Sequence, residues 1–263
     1  GTTAMKVCHC DRQFFYQILG VAFTALKLQP RIAELGVLRG ENAARLYDVL
    51  KPNSMLLVDP WSSVATALAS QSFDDPVPWI DPPQAFAYYY GGDLADQATF
   101  DRLHDECRAR FTAHPNVEIM RLSTAAAIKA LKQREEPPLD LIYIDANHQY
   151  EWILRDLLEW SELCAPDGML MLNDCCHSPA GVRQNLGVLE AVSAFVKRSN
   201  FIPVLLTHTD WSDLILCRSA GVMELLLDQV VRSIDLRYVE VPHQLLPAAR
   251  VVQSSHGINI SFK

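Results

Sequence analysis

Residues 31–59 constrain this chain more than any other stretch. They run Arg31-Ile32-Ala33-Glu34-Leu35-Gly36-Val37-Leu38-Arg39-Gly40-Glu41-Asn42, and later Leu56-Leu57-Val58-Asp59. The pattern reads as a short strand, a glycine-bearing turn, a helix over 41–50 and a second strand that ends on a carboxylate. Gly36 admits a positive φ and offers no side chain to block a ligand lying against the turn. Gly40 opens the helix and lets it pack close to the strand, with free N–H groups facing the crevice. Asp59 follows Gly40 by nineteen positions, where a doubly wound fold places the acid that hydrogen-bonds a ribose diol. Together these features predict a nucleoside-cofactor site.

The glycine spacing narrows the cofactor. A dinucleotide fingerprint needs G-x-G-x-x-G, because a pyrophosphate must approach bare backbone. Here the spacing is E-x-G-x-x-x-G, and Glu34 would repel phosphate but suits a cofactor carrying an ammonium group. This pattern resembles motif I of the class I S-adenosylmethionine-dependent methyltransferases.

Beyond this motif, strands and helices alternate. Phe14, Phe15, Ile18, Leu19, Ala22 and Leu26 recur at helical spacing, so a helix over 11–28 precedes the first strand and stops at Pro30. Strands are expected at 32–35, 55–58, 117–121, 139–144, 169–172, 201–207 and 213–218, the fifth entered through a turn at Ala165-Pro166-Asp167-Gly168. Helices are expected at 41–50, 99–113, 124–132, 150–163, 181–199 and 222–234. The fold class is therefore α/β, a Rossmann-like doubly wound sheet of seven strands. It is mostly parallel, with one antiparallel strand from a C-terminal hairpin that turns at 208–211. Seven strands with that hairpin match the methyltransferase sheet.

Three domain-level divisions follow. Gly1-Thr2-Thr3-Ala4 before Met5 reads as an expression scar, and with the first helix it makes up residues 1–29. Residues 30–219 form the methyltransferase domain. Within it, residues 62–98 hold Trp79, Phe86, Tyr88, Tyr89, Tyr90, four prolines and Gly91-Gly92 without clear periodicity, which suits a lid or a self-packed surface excursion. Residues 220–263 are a C-terminal extension with strand-like runs at 237–241 and 257–262. It can dock on a second subunit, giving a homodimer, or fold back over the pocket.

Charge and cysteine usage set further bounds. A net charge of −8 argues against general nucleic-acid binding, which needs lysine and arginine to neutralise phosphates. No run of about 18 apolar residues crosses a membrane, and no secretory signal is evident. Seven cysteines in a chain of this size fit a reducing cytoplasm. Cys8-His9-Cys10 has no second pair at zinc-finger spacing, and Cys175-Cys176 reads as small apolar filler.

A second constellation lies at Leu141-Ile142-Tyr143-Ile144-Asp145-Ala146-Asn147-His148-Gln149-Tyr150. A buried strand ends there, and Asp145 projects where a cofactor's reactive end should lie. The next strand ends on Asn173-Asp174, with His177 three residues on. Oxygen ligands from Asp145, Asn173 and Asp174, with positions left open, suit a hard divalent cation such as Mg²⁺.

The I-D-A-N-H-Q-Y-E segment and the A-P-D-G-M-L-M-L-N-D block are similar to the methyltransferases that modify sugars and other hydroxylated natural products. That group includes the macrolide sugar O-methyltransferases and, more distantly, resembles the catechol type. The resemblance covers about residues 30–220. It implies S-adenosylmethionine as cofactor, held by Glu34, Gly36, Gly40, Asp59, Ser123 (beside the adenine) and Asp145. It implies a small-molecule hydroxylated acceptor and a metal held at Asp145 and the acid pair after it. In this chain that pair is Asn173-Asp174, where many relatives carry two acids, so one charge is missing. The family's turn histidine maps onto His148, the general base, with Asp145 beside it in catalysis. An activated hydroxyl then attacks the sulfonium methyl in line.

Two other functions are open to such a chain. An iron and 2-oxo-acid hydroxylase on the same sheet would need a histidine–carboxylate facial triad, into which Asp145, His148 and His177 would have to be forced, and it leaves the intact E-L-G-V-L-R-G unexplained. A non-catalytic methyltransferase-fold subunit would tolerate loss of the turn glycines or Asp59, and all are present.

Overall fold

The computed structural model describes residues 4–70 and 77–263. Residues 1–3 of the scar expected at 1–4, and residues 71–76 of the 62–98 insertion, lie outside the described residues. The strands of the main sheet begin with β1 (Ala4–Cys8), β2 (Arg31–Leu35), β3 (Ser54–Val58) and β4 (Val117–Met120). They continue with β5 (Leu139–Ile144), β6 (Cys164–Leu172), β7 (Ile202–Thr207), β8 (Leu214–Cys217) and β9 (Tyr238–Pro242). Spatially the order is β4-β3-β2-β5-β6-β8-β7-β1-β9. Strands β4 through β6 run parallel, β8 is antiparallel to both neighbours, and β1 is parallel to β7.

Among the described residues ten α-helices accompany these strands. They are α1 (Arg12–Ala25), α2 (Glu41–Leu50), α3 (Ser63–Ala69), α4 (Ala87–Tyr90) and α5 (Gln97–Arg110). The others are α6 (Thr124–Gln133), α7 (Tyr150–Trp160), α8 (Pro179–Arg183), α9 (Val188–Val196) and α10 (Ala220–Arg232). One sheet face packs Phe15 and Leu19 of α1, Leu46 of α2, Phe100 of α5 and Leu226 of α10. The other packs Ile128 of α6, Trp160 of α7 and Phe195 of α9. Burial on both faces explains why the central strands read as continuous apolar runs. Among the described residues no helix is long and apolar enough to cross a membrane.

All seven expected strands form, yet the sheet has nine, and both additions come from the chain ends. Ala4, read as part of a scar, begins β1; Met5 and Val7 face one layer of the core and Cys8 the other. Strand β9 pairs antiparallel with β1, so part of the C-terminal extension is built into the sheet. The strand-like run expected at 237–241 is β9, and its place in the sheet depends on β1, which is not among the expected strands. β10 (Arg250–Ser254) and β11 (Gly257–Ser261) form a separate hairpin.

Two local expectations are corrected. The turn at 165–168 lies inside β6, whose pairing with β5 shifts register between Leu139 and Leu141. The single helix expected over 181–199 breaks into α8 and α9 around Asn185, whose φ is 56°, and Gly187. A β-carbon on Gly187 would stand 2.4 Å from the Tyr150 nitrogen, so this glycine lets the break press on the turn before α7.

Candidate active site

The chain order reverses between β2 and β5, and the crevice beyond their carboxyl ends is where an open α/β sheet binds ligands. Gly36 leaves β2 at φ 83°, and an added β-carbon would meet the Asp145 carbonyl oxygen at 2.0 Å. The Asp145 N–H in turn donates to the Leu35 carbonyl at 2.8 Å. The glycine turn and the end of β5 are thus in backbone contact. Gly40 caps α2 at φ 84° with no side-chain hydrogen bond to the helix. Leu38 shares the left-handed region at φ 51°, without glycine's freedom.

Asp59 braces this turn. Its Oδ2 accepts from the Val37 and Leu38 N–H groups at 2.9 and 3.2 Å, and Oδ1 accepts from Trp61 N–H at 2.8 Å. A carboxylate has about four acceptor positions, so one remains for a hydroxyl. Burial raises its pKa, and the three backbone donors oppose that rise. Trp61 returns the brace by donating Nε1–H to the Leu38 carbonyl at 2.8 Å.

Glu34, on β2 two residues before Gly36, is 1% exposed. Asn42 donates its amide to Oε1, while Oε2 is buried with no partner. Burial pushes this carboxyl up to about 8, against the Asn42 hydrogen bond. A bare buried carboxyl oxygen is poorly satisfied until a cation or donor reaches it. Ser123 begins α6 after β4, and its hydroxyl accepts from the Ala126 N–H at 3.1 Å as an N-cap.

At the other end of the cleft, β5 and β6 deliver their acids to one rim. One ligand atom each from Asp145, His148 and Asp174 lies within 4.8 Å of the others. His148 stands between the carboxylates, with Nε2 3.6 Å from Asp145 Oδ1 and Nδ1 3.2 Å from Asp174 Oδ2. Burial pushes Asp145 up to about 6, with His148 pulling down and Asp174 adding to the rise. Burial also raises Asp174, opposed by His148 and by Arg12 at the start of α1. Asp174 holds φ 62°, a strained backbone at the rim.

Asn173 differs from its expected role. Its Oδ1 accepts from the Tyr143 hydroxyl at 2.6 Å, and its amide donates to Asp145 Oδ2 at 3.0 Å. The converging set is Asp145, His148 and Asp174. His177 is outside it, with Nδ1 3.7 Å from Glu190, so the facial triad of a hydroxylase is not assembled here. Cys175 and Cys176 are buried as filler, and among the described residues the Cys8–Cys10 segment forms no cluster of metal-ligating groups.

Sequence patterning missed several contributors. The Gly187 N–H donates to the His148 carbonyl at 2.7 Å, holding the histidine turn from the α8–α9 break. Tyr16, Asn42 and Tyr143 link the two ends of the cleft; Asn42, in the first turn after Gly40, was the one with a local signal. In the insertion, Tyr88 and Tyr89 have ring centroids 4.4 Å apart, and the Arg39 guanidinium donates to the Tyr89 carbonyl at 3.1 Å.

A family model described as a methyltransferase domain matches residues 33–175, from β2 through the rim. The chain belongs to this methyltransferase-domain family. No curated protein matches it as a relative. Among solved structures, this methyltransferase chain is similar to the O-methyltransferase TomG from Streptomyces achromogenes, involved in tomaymycin synthesis and solved in complex with SAM. Identity there is 14%, the TM-score is 0.51, and 80% of each chain is covered. It is also similar to the Bacillus cereus O-methyltransferase solved with SAH, at 13% identity and TM-score 0.50, covering 78% of this chain and 79% of that one. At such identities the likeness shows the fold, a Rossmann-like methyltransferase sheet.

Proposed function

We propose that this methyltransferase transfers a methyl group from S-adenosylmethionine to a hydroxyl of a small molecule, a sugar or natural product. The observation that carries this reading is the backbone contact between Gly36 and Asp145, which sets the glycine turn directly beside the His148 rim. The cofactor's ammonium suits the bare Oε2 of Glu34, and its ribose suits the acceptor position left on Asp59. Gly36 and Gly40 keep the turn clear, and Ser123 lies at the adenine end.

S-adenosylmethionine supplies an electrophilic methyl, so the chain's own task is to align an oxygen with it and remove that oxygen's proton. Asp145 and Asp174 offer hard oxygen ligands for a divalent cation such as Mg²⁺, with Asn173 behind them; a bound cation would make a hydroxyl more acidic. His148, between the two acids, takes the proton. The exposed, tilted Tyr88–Tyr89 pair offers aromatic surface for an acceptor. Seven free thiols, six of them buried, suit a reducing cytoplasm.

The test is calorimetric titration of S-adenosylhomocysteine, in EDTA and then with Mg²⁺. Micromolar binding, about −8 kcal/mol, together with Mg²⁺ binding lost in Asp174→Ala, is the expected result. Binding under neither condition would overturn the methyl-transfer reading. His148→Ala should lower turnover by about 10²-fold or more while leaving cofactor affinity nearly unchanged.

A further inference from the structure

A continuous buried chain of side chains runs from Glu34 to Asp145. Asn42 donates to Glu34 Oε1, and the Tyr16 hydroxyl donates to Asn42 Oδ1 at 2.5 Å. The Tyr143 hydroxyl donates to Asn173 Oδ1 at 2.6 Å, and Asn173 donates to Asp145 Oδ2 at 3.0 Å. Between these halves the two phenol oxygens are 3.1 Å apart. Tyr16 and Tyr143 are fully buried, and Asn173 is nearly so.

A phenol carries one proton. The Tyr16 hydroxyl is within donor reach of both Asn42 Oδ1, at 2.5 Å, and the Tyr143 oxygen, at 3.1 Å; with its proton on the nearer Asn42 and that of Tyr143 on Asn173, the contact between the phenols holds none. The chain therefore has a second setting, in which the Tyr143 proton turns to the Tyr16 oxygen. That move releases Asn173 Oδ1, and the amide can rotate to present its oxygen to the rim. In the observed setting Asn173 is a donor that occupies Asp145; in the second it is an oxygen ligand beside Asp145 and Asp174.

We infer that Tyr16 and Tyr143 are positioning residues that set which face of Asn173 meets the rim, so that a cationic group bound at Glu34 raises the affinity of the rim for a divalent cation. The direction follows from hydrogen-bond polarisation. A ligand ammonium on Oε2 keeps Glu34 a carboxylate, which polarises Asn42, then the Tyr16 O–H, and makes the Tyr16 oxygen a better acceptor for Tyr143. This inference rests on the methyl-transfer reading for the identity of the cationic ligand.

The test is Mg²⁺ titration of the full chain, free and saturated with S-adenosylhomocysteine. In the wild type the saturated protein should bind Mg²⁺ about fivefold tighter or more, the lower end of ordinary coupling. In Tyr16→Phe the gain should vanish while Mg²⁺ affinity of the free protein stays put. In Tyr143→Phe, Asn173 is released in advance, so Mg²⁺ should bind tightly with or without the nucleoside. Asn42→Ala breaks the chain at its less buried end and should also abolish the gain, which keeps the test available if a buried tyrosine variant does not fold. A wild-type ratio of one, absence of Mg²⁺ binding, or a ratio that survives both chain breaks would overturn the coupling. Failure of the nucleoside itself to bind would instead overturn the methyl-transfer reading, so the two failures are distinct.

Discussion

The two ends of the cleft are built on different physical plans. At the β2–α2 end, backbone does most of the work: Gly36 presses on the Asp145 carbonyl, and Asp59 binds three main-chain N–H groups. At the β5–β6 rim, side chains from two strands and a turn converge on a space small enough for one cation. The first plan is rigid, because moving any part breaks several main-chain hydrogen bonds together. The second rests on side-chain contacts, with His148 held between Asp145 and Asp174 and Asn173 between Tyr143 and Asp145. A cofactor shared by many reactions needs the first; an acceptor and a proton transfer need the second.

Breaking the rigid end should have the largest effect. Gly36→Ala forces a side chain into the left-handed region and into the Asp145 backbone, so a stability loss of about 3–5 kcal/mol and no measurable nucleoside binding are expected by thermal denaturation and calorimetry. Near-normal binding by a folded Gly36→Ala protein would show that the two backbones separate easily. At the rim, Gly187→Ala should move the His148 turn and leave the cofactor end alone. Turnover should fall about 10²-fold, as a shift of about an ångström costs, with nucleoside affinity kept within about twofold; an equal loss of both would mean the two ends are not separable.

Glu34 sharpens the contrast through pH. Its carboxyl rises from 4.5 to about 8 on folding, so the native state holds a proton that the unfolded chain has lost across that window. Stability should therefore fall as pH rises from about 4.5 to about 8 and level off above. Glu34→Gln should flatten part of that slope in melting temperature. Asp213 and Asp156, each pushed up to about 7 by burial, would keep the remainder. An unchanged slope in Glu34→Gln would mean that Glu34 is ionised in the folded protein. The smallest effect is expected at Ser123, where loss of the α6 cap should cost about 1 kcal/mol and change nucleoside affinity less than threefold.

Much of the rigid end was legible because its requirements are local. A strand, a glycine that must take positive φ, a helix N-terminus and an acid at the next strand end occur within thirty residues, and each residue type has its own backbone reason. The α/β alternation was legible for the same reason, and so were the acids at the ends of β5 and β6. The exchange of partners around Asn173 was not, since its oxygen is claimed by Tyr143, thirty positions away. The break between α8 and α9 falls at Gln184-Asn185-Leu186-Gly187, where Asn and Gly are local turn signals, but its meaning depends on Tyr150 and His148 lying against Gly187.

The sequence by itself determined the sheet's central strands, the glycine turn and the carboxylates that line the crevice, because neighbouring residues and their conformational preferences suffice for each. Only the tertiary structure decided that β1 and β9 pair at the edge of the sheet, that His148 stands between Asp145 and Asp174, and that Tyr16 meets Tyr143 across 127 residues. Those outcomes depend on which distant groups compete for the same hydrogen-bonding atoms once burial removes water, and that competition is settled by packing.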